Sequence, residues 1–466
     1  MLTYSFSNIG SEHLYEHLYK CLKNDILTGV LPAGSKLPSK RGFAANLGIS
    51  PITVENAYAQ LLVEGYIFSL PRKGFFVSEN IVPCTVTAES GNTSAESGCQ
   101  QEWFADFCSN QTEPERFPFS VWTKLLREVC GDRSRQLMTN SPASGVWELR
   151  QAIAGFLRQF RAMDIAPERI VVGAGTEYLY GLLIQLLGRD KVYGLEDPGY
   201  PKLGRIYNSF GVERRYIPLN NGVPDHSLIS SGVQVMHISP AHHYPTGSVM
   251  PVSARYELLA WAAEEEGRYI IEDDYDSEFR LSGQPIPTLQ SIDVTGKVIY
   301  LNTFAKSLSS TLRISYMVLP QKLAERFRDR LSFYSCPVGN FEQYTLARFI
   351  RDGYFEKHIN RMRNHYRRKR DILLQAFTNS GLPADSVLQQ DAGLHFLLSP
   401  PAGRSDEELA AAAAAEGIKV SFLSQYYHDP AAAPAPQLAV INYSSIDGEK
   451  TEEAVHRLLK AFGCKP

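Results

Sequence analysis

At 466 residues, with 44% hydrophobic and 21% charged residues, the chain has the length and balance of a soluble globular protein of two domains, one of them large. A net charge of −3 excludes polyanion binding by bulk charge, so any nucleic-acid surface has to be local. No apolar run approaches the roughly 20 residues that span a bilayer, and MLTYSFSNIGSEH lacks a basic stretch followed by an apolar core, so a cytoplasmic location is expected. The 7 cysteines are scattered, with no CxxC pair and no histidine at ligand spacing, which predicts reduced thiols and no metal site.

In chain order, LYEHLYKCLKNDILTG places Leu14, Leu18, Cys21, Leu22 and Ile26 at helical spacing, with Gly29 where a C-terminal cap belongs. The turn LPAGSKLPS leads to a second short helix, KRGFAANLG. Ser50 then caps a third helix, PITVENAYAQLLVEG, with Pro51 in its first position, where the missing N–H does no harm. Helix, glycine-containing turn and helix make a helix-turn-helix. YIFSLPRKGFFVS alternates as two strands around a basic turn, a wing whose Arg72 and Lys73 can reach phosphates while the third helix enters a major groove. Residues 1–78 carry seven Lys/Arg against five Asp/Glu, a modest local excess of +2. A module used only for protein contact is the alternative.

The run Leu14–Val77, with LPSKRGFAANLGISPITVENAYAQLLVEGYI and RKGFFV, resembles the winged-helix domain of the GntR superfamily. The resemblance implies that Ser39, Arg41, Ser50, Thr53 and Gly74 lie at or near the backbone and bases of a double-stranded DNA operator. Pro51 stands where the family often carries arginine, and Glu55 where a basic residue is common, so a different operator sequence is expected. After this domain, residues 79–102 are rich in Ser, Thr, Gly, Glu and Gln without periodicity and read as a flexible linker.

Residues 103–466 alternate apolar strands, glycine-bearing turns and helices, which predicts an α/β domain with a mostly parallel sheet and ligands at the carboxyl ends of its strands. In VVGAGTEYL, Gly173 and Gly175 end a strand and open a helix, so the N–H groups around Gly175, Thr176 and Glu177 face an anion; such turns also occur with no ligand. YIIEDDYDSEF ends a strand in carboxylates and a tyrosine, suited to a protonated pyridine nitrogen, to Mg²⁺ or to a solvated turn. In YLNTFAKSLSSTLRISY, Lys306 suits an imine-forming amine, with Thr303 and Arg313 gripping a phosphate.

From Trp103 to Phe462 the motifs EDPGYP, HYPTG, IIEDDYDSEF, TFAKSL and LRISY, in that order, resemble the fold-type-I aminotransferase domain of the MocR subfamily of GntR regulators. The resemblance implies pyridoxal 5′-phosphate as cofactor and Lys306 as the carrier of its internal aldimine. It further implies Asp273 on the pyridine nitrogen, Tyr275 on the ring hydroxyl and Tyr200 stacked on the ring, with Gly175, Thr176, Thr303 and Arg313 on the phosphate. A small C-terminal α+β subdomain and a domain-swapped, head-to-tail homodimer are implied as well. Four departures stand out: no arginine occurs between Arg404 and Arg457, where the family draws its carboxylate-binding arginine; Lys202 replaces a second arginine; Asn140 replaces a tyrosine; and the lysine segment reads AKSLSSTLRISY. The expected function is a cofactor-binding transcription regulator that senses pyridoxal phosphate or an amine reacting with it, rather than a simple amino-acid carboxylate. The alternative is an active aminotransferase carrying a DNA-binding module.

Overall fold

The computed structural model describes residues 2–4, 6, 13–79, 102–281, 286–391, 393–400, 403–430 and 438–464. Two compact units are present, residues 1–101 and 102–466. Apart from its two end residues, the linker expected at 79–102 lies outside the described residues.

In the first unit, helices span Leu14–Leu27, Lys40–Leu47 and Pro51–Val63, followed by the antiparallel strands Ile67–Leu70 and Gly74–Val77. Leu18, Leu22 and Ile26 from the first helix and Val54, Ala57, Tyr58 and Leu61 from the third recur at helical spacing and are all buried, so these faces meet in one core with Phe43 and Ile67. The short middle helix is closed at both ends by local chemistry. Ser39 Oγ accepts from the Gly42 N–H at 3.1 Å, and Gly48 follows the helix in the left-handed region at φ 67°. Ser50 caps the third helix by accepting from the Thr53 N–H at 3.3 Å. Leu70 pairs with Gly74, which leaves Pro71, Arg72 and Lys73 as the wing tip.

The second unit is built on an eight-stranded sheet in the order Ile170–Gly173, Ser315–Val318, Val298–Thr303, Tyr269–Asp273, Val235–Ile238, Val192–Asp197, Glu213–Asn220, Val223–Pro224. The five strands from Val298–Thr303 to Glu213–Asn220 run parallel, and Ser315–Val318 is antiparallel to both its neighbours. That reversal has a physical cause. Only 11 residues separate Thr303 from Ser315, too few for the crossover a parallel return needs, so the chain folds back as a wide hairpin with Lys306 in its loop. Strand residues such as Val171, Ile271, Ile299, Leu301 and Met317 are buried together with the helix Thr176–Leu187, as a sheet covered on its faces requires.

A four-stranded antiparallel sheet, Val387–Leu388, His395–Leu398, Ala439–Asn442 and Ser421–Phe422, carries the helices Asp406–Ala415 and Thr451–Ala461 and forms a smaller C-terminal α+β subdomain. Ala105–Asp106 pairs in parallel with Ile418–Lys419, so the first strand of the second unit is hydrogen-bonded to its last subdomain. No helix among the described residues is long and apolar enough to cross a membrane.

Candidate functional site

Sheet register brings the informative residues into one row. Gly173 pairs with Ser315 and Ser315 with Thr303, while Asp273 pairs with Leu301, two residues before Thr303. The glycine turn, the lysine loop and the acidic strand end therefore emerge side by side at carboxyl ends of the parallel strands.

Asp273 is held from two sides. The Tyr180 hydroxyl donates to its Oδ2 at 2.7 Å, and His237 Nε2 stands 3.6 Å from the same oxygen, with His237 Nδ1 in turn 2.9 Å from the Tyr207 hydroxyl. Burial, and then the negative charge of Asp273, push the Tyr180 phenol well above its ordinary value, which fixes it as a donor. The other oxygen, Asp273 Oδ1, is buried and has no hydrogen-bond partner. A buried carboxylate oxygen left open costs free energy unless a donor arrives, and a ring N–H is a donor of the right kind.

Lys306 donates to the Asn110 carbonyl at 2.6 Å, and burial lowers its amine to about 8, with the nearby Asp276 opposing the shift. Desolvation of this size makes the neutral, nucleophilic form accessible near physiological pH. Tyr275, partly buried and raised well above its ordinary value by desolvation and then by the charge of Asp276, lies 3.3 Å from His242 Nδ1, which is also 2.8 Å from both Asp276 oxygens. His242, Asp276 and Arg161 are among the residues that line a cavity of about 220 Å³.

At the glycine turn, Gly175 adopts φ 90° and directly precedes the helix Thr176–Leu187, and the Arg313 guanidinium packs against the space where a side chain would sit. Glu177 accepts from Lys202 and lies 3.8 Å from Arg313, and the Lys202 hydrogen bond, followed by the two cationic charges, holds its carboxyl below the usual range. Backbone N–H groups, a helix N-terminus and two cations thus lie around the Glu177 carboxylate, which pairs with both cations. Thr303 belongs to a different network: its hydroxyl accepts from Ser315 Oγ at 2.8 Å and from the Ala305 N–H at 3.1 Å and so braces the two ends of the lysine loop. Tyr200 is half exposed and meets Tyr244 edge-on at 6.2 Å. Among the described residues no group of three or more His, Cys, Asp or Glu side chains is arranged to hold a metal ion.

In the winged unit, Ser39 and Ser50 are the caps of successive helices and, with Arg41, Arg72 and Lys73, are exposed. Thr53 stays within 3.2 Å of Ser50 through their hydroxyls. Arg72 (φ 63°) and Gly74 (φ 106°) make the tight basic tip. Glu55 pairs with Lys40 at 2.7 Å, so the acidic residue on the third helix neutralises a neighbouring cation. Sequence reasoning did not single out Ile52, an apolar side chain 68% exposed beside the cap of the third helix. It also missed Tyr180 and His237, whose roles depend on strands and helices distant in sequence, and Asn110, for which no local pattern gave a signal.

Residues 104–458 match the family "Aminotransferase class I and II", and residues 14–77 match "Bacterial regulatory proteins, gntR family". The chain is 36% identical over 453 residues to the uncharacterized HTH-type transcriptional regulator YdeL of Bacillus subtilis (strain 168), covering 96% of each chain. It is 31% identical to the probable rhizopine catabolism regulatory protein MocR of Rhizobium meliloti, covering 96% of this chain and 94% of that one. Among solved structures, a kynurenine aminotransferase of Pyrococcus horikoshii superposes with a TM-score of 0.67 at 22% identity, over 78% of this chain and 91% of that one.

Proposed function

The chain belongs to the gntR-family regulators of MocR type, which join a winged helix to an aminotransferase class I and II domain, and from that premise we propose that it binds operator DNA and senses pyridoxal phosphate or an amine that reacts with it. The observation that carries the cofactor reading is Asp273: one oxygen is braced by Tyr180 and the other is buried and open. Pyridoxal phosphate, when bound, supplies an aldehyde that captures amines and a ring that withdraws electrons.

The residues of this chain fit that group. Lys306 presents an amine lowered to about 8, close enough to neutrality to attack an aldehyde. Asp273 holds a proton on the ring nitrogen, and Tyr180 and His237 keep the carboxylate oriented. Arg313, Lys202 and the N–H groups after Gly175 take the phosphate, with Thr303 keeping Lys306 and Arg313 in register. Tyr275 and Tyr200 border the ring. On the DNA side, the exposed start of the third helix reads base edges and the Arg72–Lys73 tip meets phosphate.

A fold-type-I site is completed between two copies, and a two-fold dimer also presents paired winged helices to paired half-sites, so a head-to-tail homodimer is part of the proposal. Ligand binding acts by favouring one arrangement of the dimer over another. The test is footprinting on DNA upstream of the protein's own gene, with and without pyridoxal phosphate, alongside the absorption spectrum of wild type and Lys306→Ala. Protected half-sites that respond to the cofactor, and a near-ultraviolet or visible band that Lys306→Ala removes, are expected. A protein that forms no band refutes the sensor. Sustained transamination of ordinary amino acids would make the chain an enzyme instead.

A further inference from the structure

The third helix of the winged unit carries no cation. No Lys or Arg occurs between Arg41 and Arg72, and the exposed residues at the start of that helix are Pro51, Ile52, Glu55 and Asn56. Ile52, Glu55 and Asn56 are spaced i, i+3 and i+4 and share one side of the helix, while Val54, Ala57, Tyr58 and Leu61 are turned into the core. The cations stand beside this side instead. Lys40 Nζ lies 2.7 Å from Glu55 Oε1 and 5.4 Å from the centre of the Phe75 ring, so it joins the third helix to the second wing strand. Lys36 bridges to Phe76, and a Cβ on Gly74 would lie 3.5 Å from Lys36 Cε, which puts a further cation against the wing tip. Lys36, Lys40 and the tip Arg72–Lys73 therefore border the exposed start of the third helix.

Such a division suits a duplex, with cations for the phosphates and a cation-free surface for the base edges. It also restricts what that surface can read. In the major groove guanine presents two acceptors, O6 and N7, which Arg or Lys would meet; this helix has neither. The Glu55 carboxylate accepts and does not donate, so the acceptor edges of guanine and the O4 of thymine repel it, whereas the amino group of cytosine suits it. The ion pair with Lys40 orients that carboxylate and offsets its repulsion from phosphate. Ile52, 68% exposed, has only an apolar surface to offer, and the C5-methyl of thymine is the apolar group of the major groove. Resting on the DNA-binding reading above, we propose that Ile52 and Glu55 are specificity-determining residues. Ile52 packs on a thymine methyl, and Glu55, steered by Lys40, accepts from a cytosine amino group, so that this helix reads its operator through pyrimidines rather than through the acceptor edge of guanine.

The test selects binding sites from a pool of randomised duplexes with the full-length protein, as wild type, Ile52→Ala and Glu55→Gln. The enriched duplexes are then titrated by gel shift with deoxyuridine in place of each thymine in turn, which removes the methyl and leaves the pairing edge intact. In wild type, one thymine of each half-site should respond, its replacement weakening binding by about fourfold, the worth of one buried methyl group. Ile52→Ala should bind the thymine and deoxyuridine duplexes equally. It should melt with the wild type, because the side chain is exposed, so that lost affinity is not lost fold. Glu55→Gln, whose amide pairs with adenine, should move one selected cytosine to adenine. The proposal is overturned, with DNA binding intact, if no thymine responds to loss of its methyl, if the response survives Ile52→Ala, or if Glu55→Gln selects the same bases as wild type. A protein that enriches no sequence from the pool refutes the DNA-binding reading and this inference together.

Discussion

Substituting Gly175 by alanine separates phosphate recognition from everything else at the site. The residue sits at φ 90° and ψ 163°, a region open to glycine, so any side chain introduces backbone strain of about 1–3 kcal/mol. The added Cβ would lie 2.7 Å from Arg313 Nη2 and 2.9 Å from its Cζ. Arg313 is half exposed and long, so it swings away rather than unfolding the turn, and its grip on phosphate goes with it. A charge-assisted hydrogen bond contributes about 1.5–3 kcal/mol; for a half-exposed guanidinium about 1–2 kcal/mol is the better figure, roughly 5- to 30-fold in Kd. The assay is a spectral titration of wild type and Gly175→Ala with pyridoxal phosphate and with pyridoxal, which lacks the phosphate, beside a thermal melt. The variant should melt lower and lose affinity for pyridoxal phosphate alone. Equal losses for both compounds, or unchanged affinity for pyridoxal phosphate, would refute the assignment of Gly175 and Arg313 to the phosphate.

Three other outcomes are expected. Asp273→Ala leaves Tyr180 without its acceptor and removes the ring-nitrogen partner, so pyridoxal phosphate affinity should fall at least tenfold and the absorption of the bound form should change; an unaltered spectrum excludes Asp273 as that partner. The rate at which pyridoxal phosphate attaches should rise with pH through a midpoint near 8, not near the 10.5 of an exposed lysine, as stopped-flow absorbance can measure. Because the folded amine has the lower value, the unfolded chain binds more protons between these limits, and this group makes stability rise with pH from about 8 to 10.5. Ser50→Ala should destabilise the winged unit by about 1 kcal/mol through loss of the cap on the third helix and should weaken operator binding in a gel-shift assay, whereas an exposed substitution such as Val63→Ala should do neither.

The parts of the site legible in the sequence were those made by consecutive residues. Gly173 and Gly175 announced a strand-to-helix turn, and the acidic end of YIIED and the lysine after YLNT followed from apolar strands that end abruptly in chemistry. The wing was readable for the same reason, since two short alternating runs around a Pro-Arg-Lys-Gly tip have few other solutions. Residues that act across the fold were not legible. Tyr180 lies in the middle of an apolar helix and His237 in a central strand, where each reads as core, and only the sheet order brings them to Asp273. Thr303 shows the limit from the other direction: the sequence put it on a phosphate, whereas the partners its hydroxyl has here depend on the antiparallel return of Ser315, which follows from loop length rather than residue type. The arginine missing between Arg404 and Arg457 was visible as an absence.

The pairing of Ala105–Asp106 with Ile418–Lys419 gives the second unit an unusual mechanical property. The polypeptide that leads toward the winged helix does not leave from the rigid eight-stranded sheet; it is fastened to the smaller subdomain, a few residues from where the unit begins. Any rotation of that subdomain therefore carries residues 105 and 106 with it, with no need to deform the large sheet.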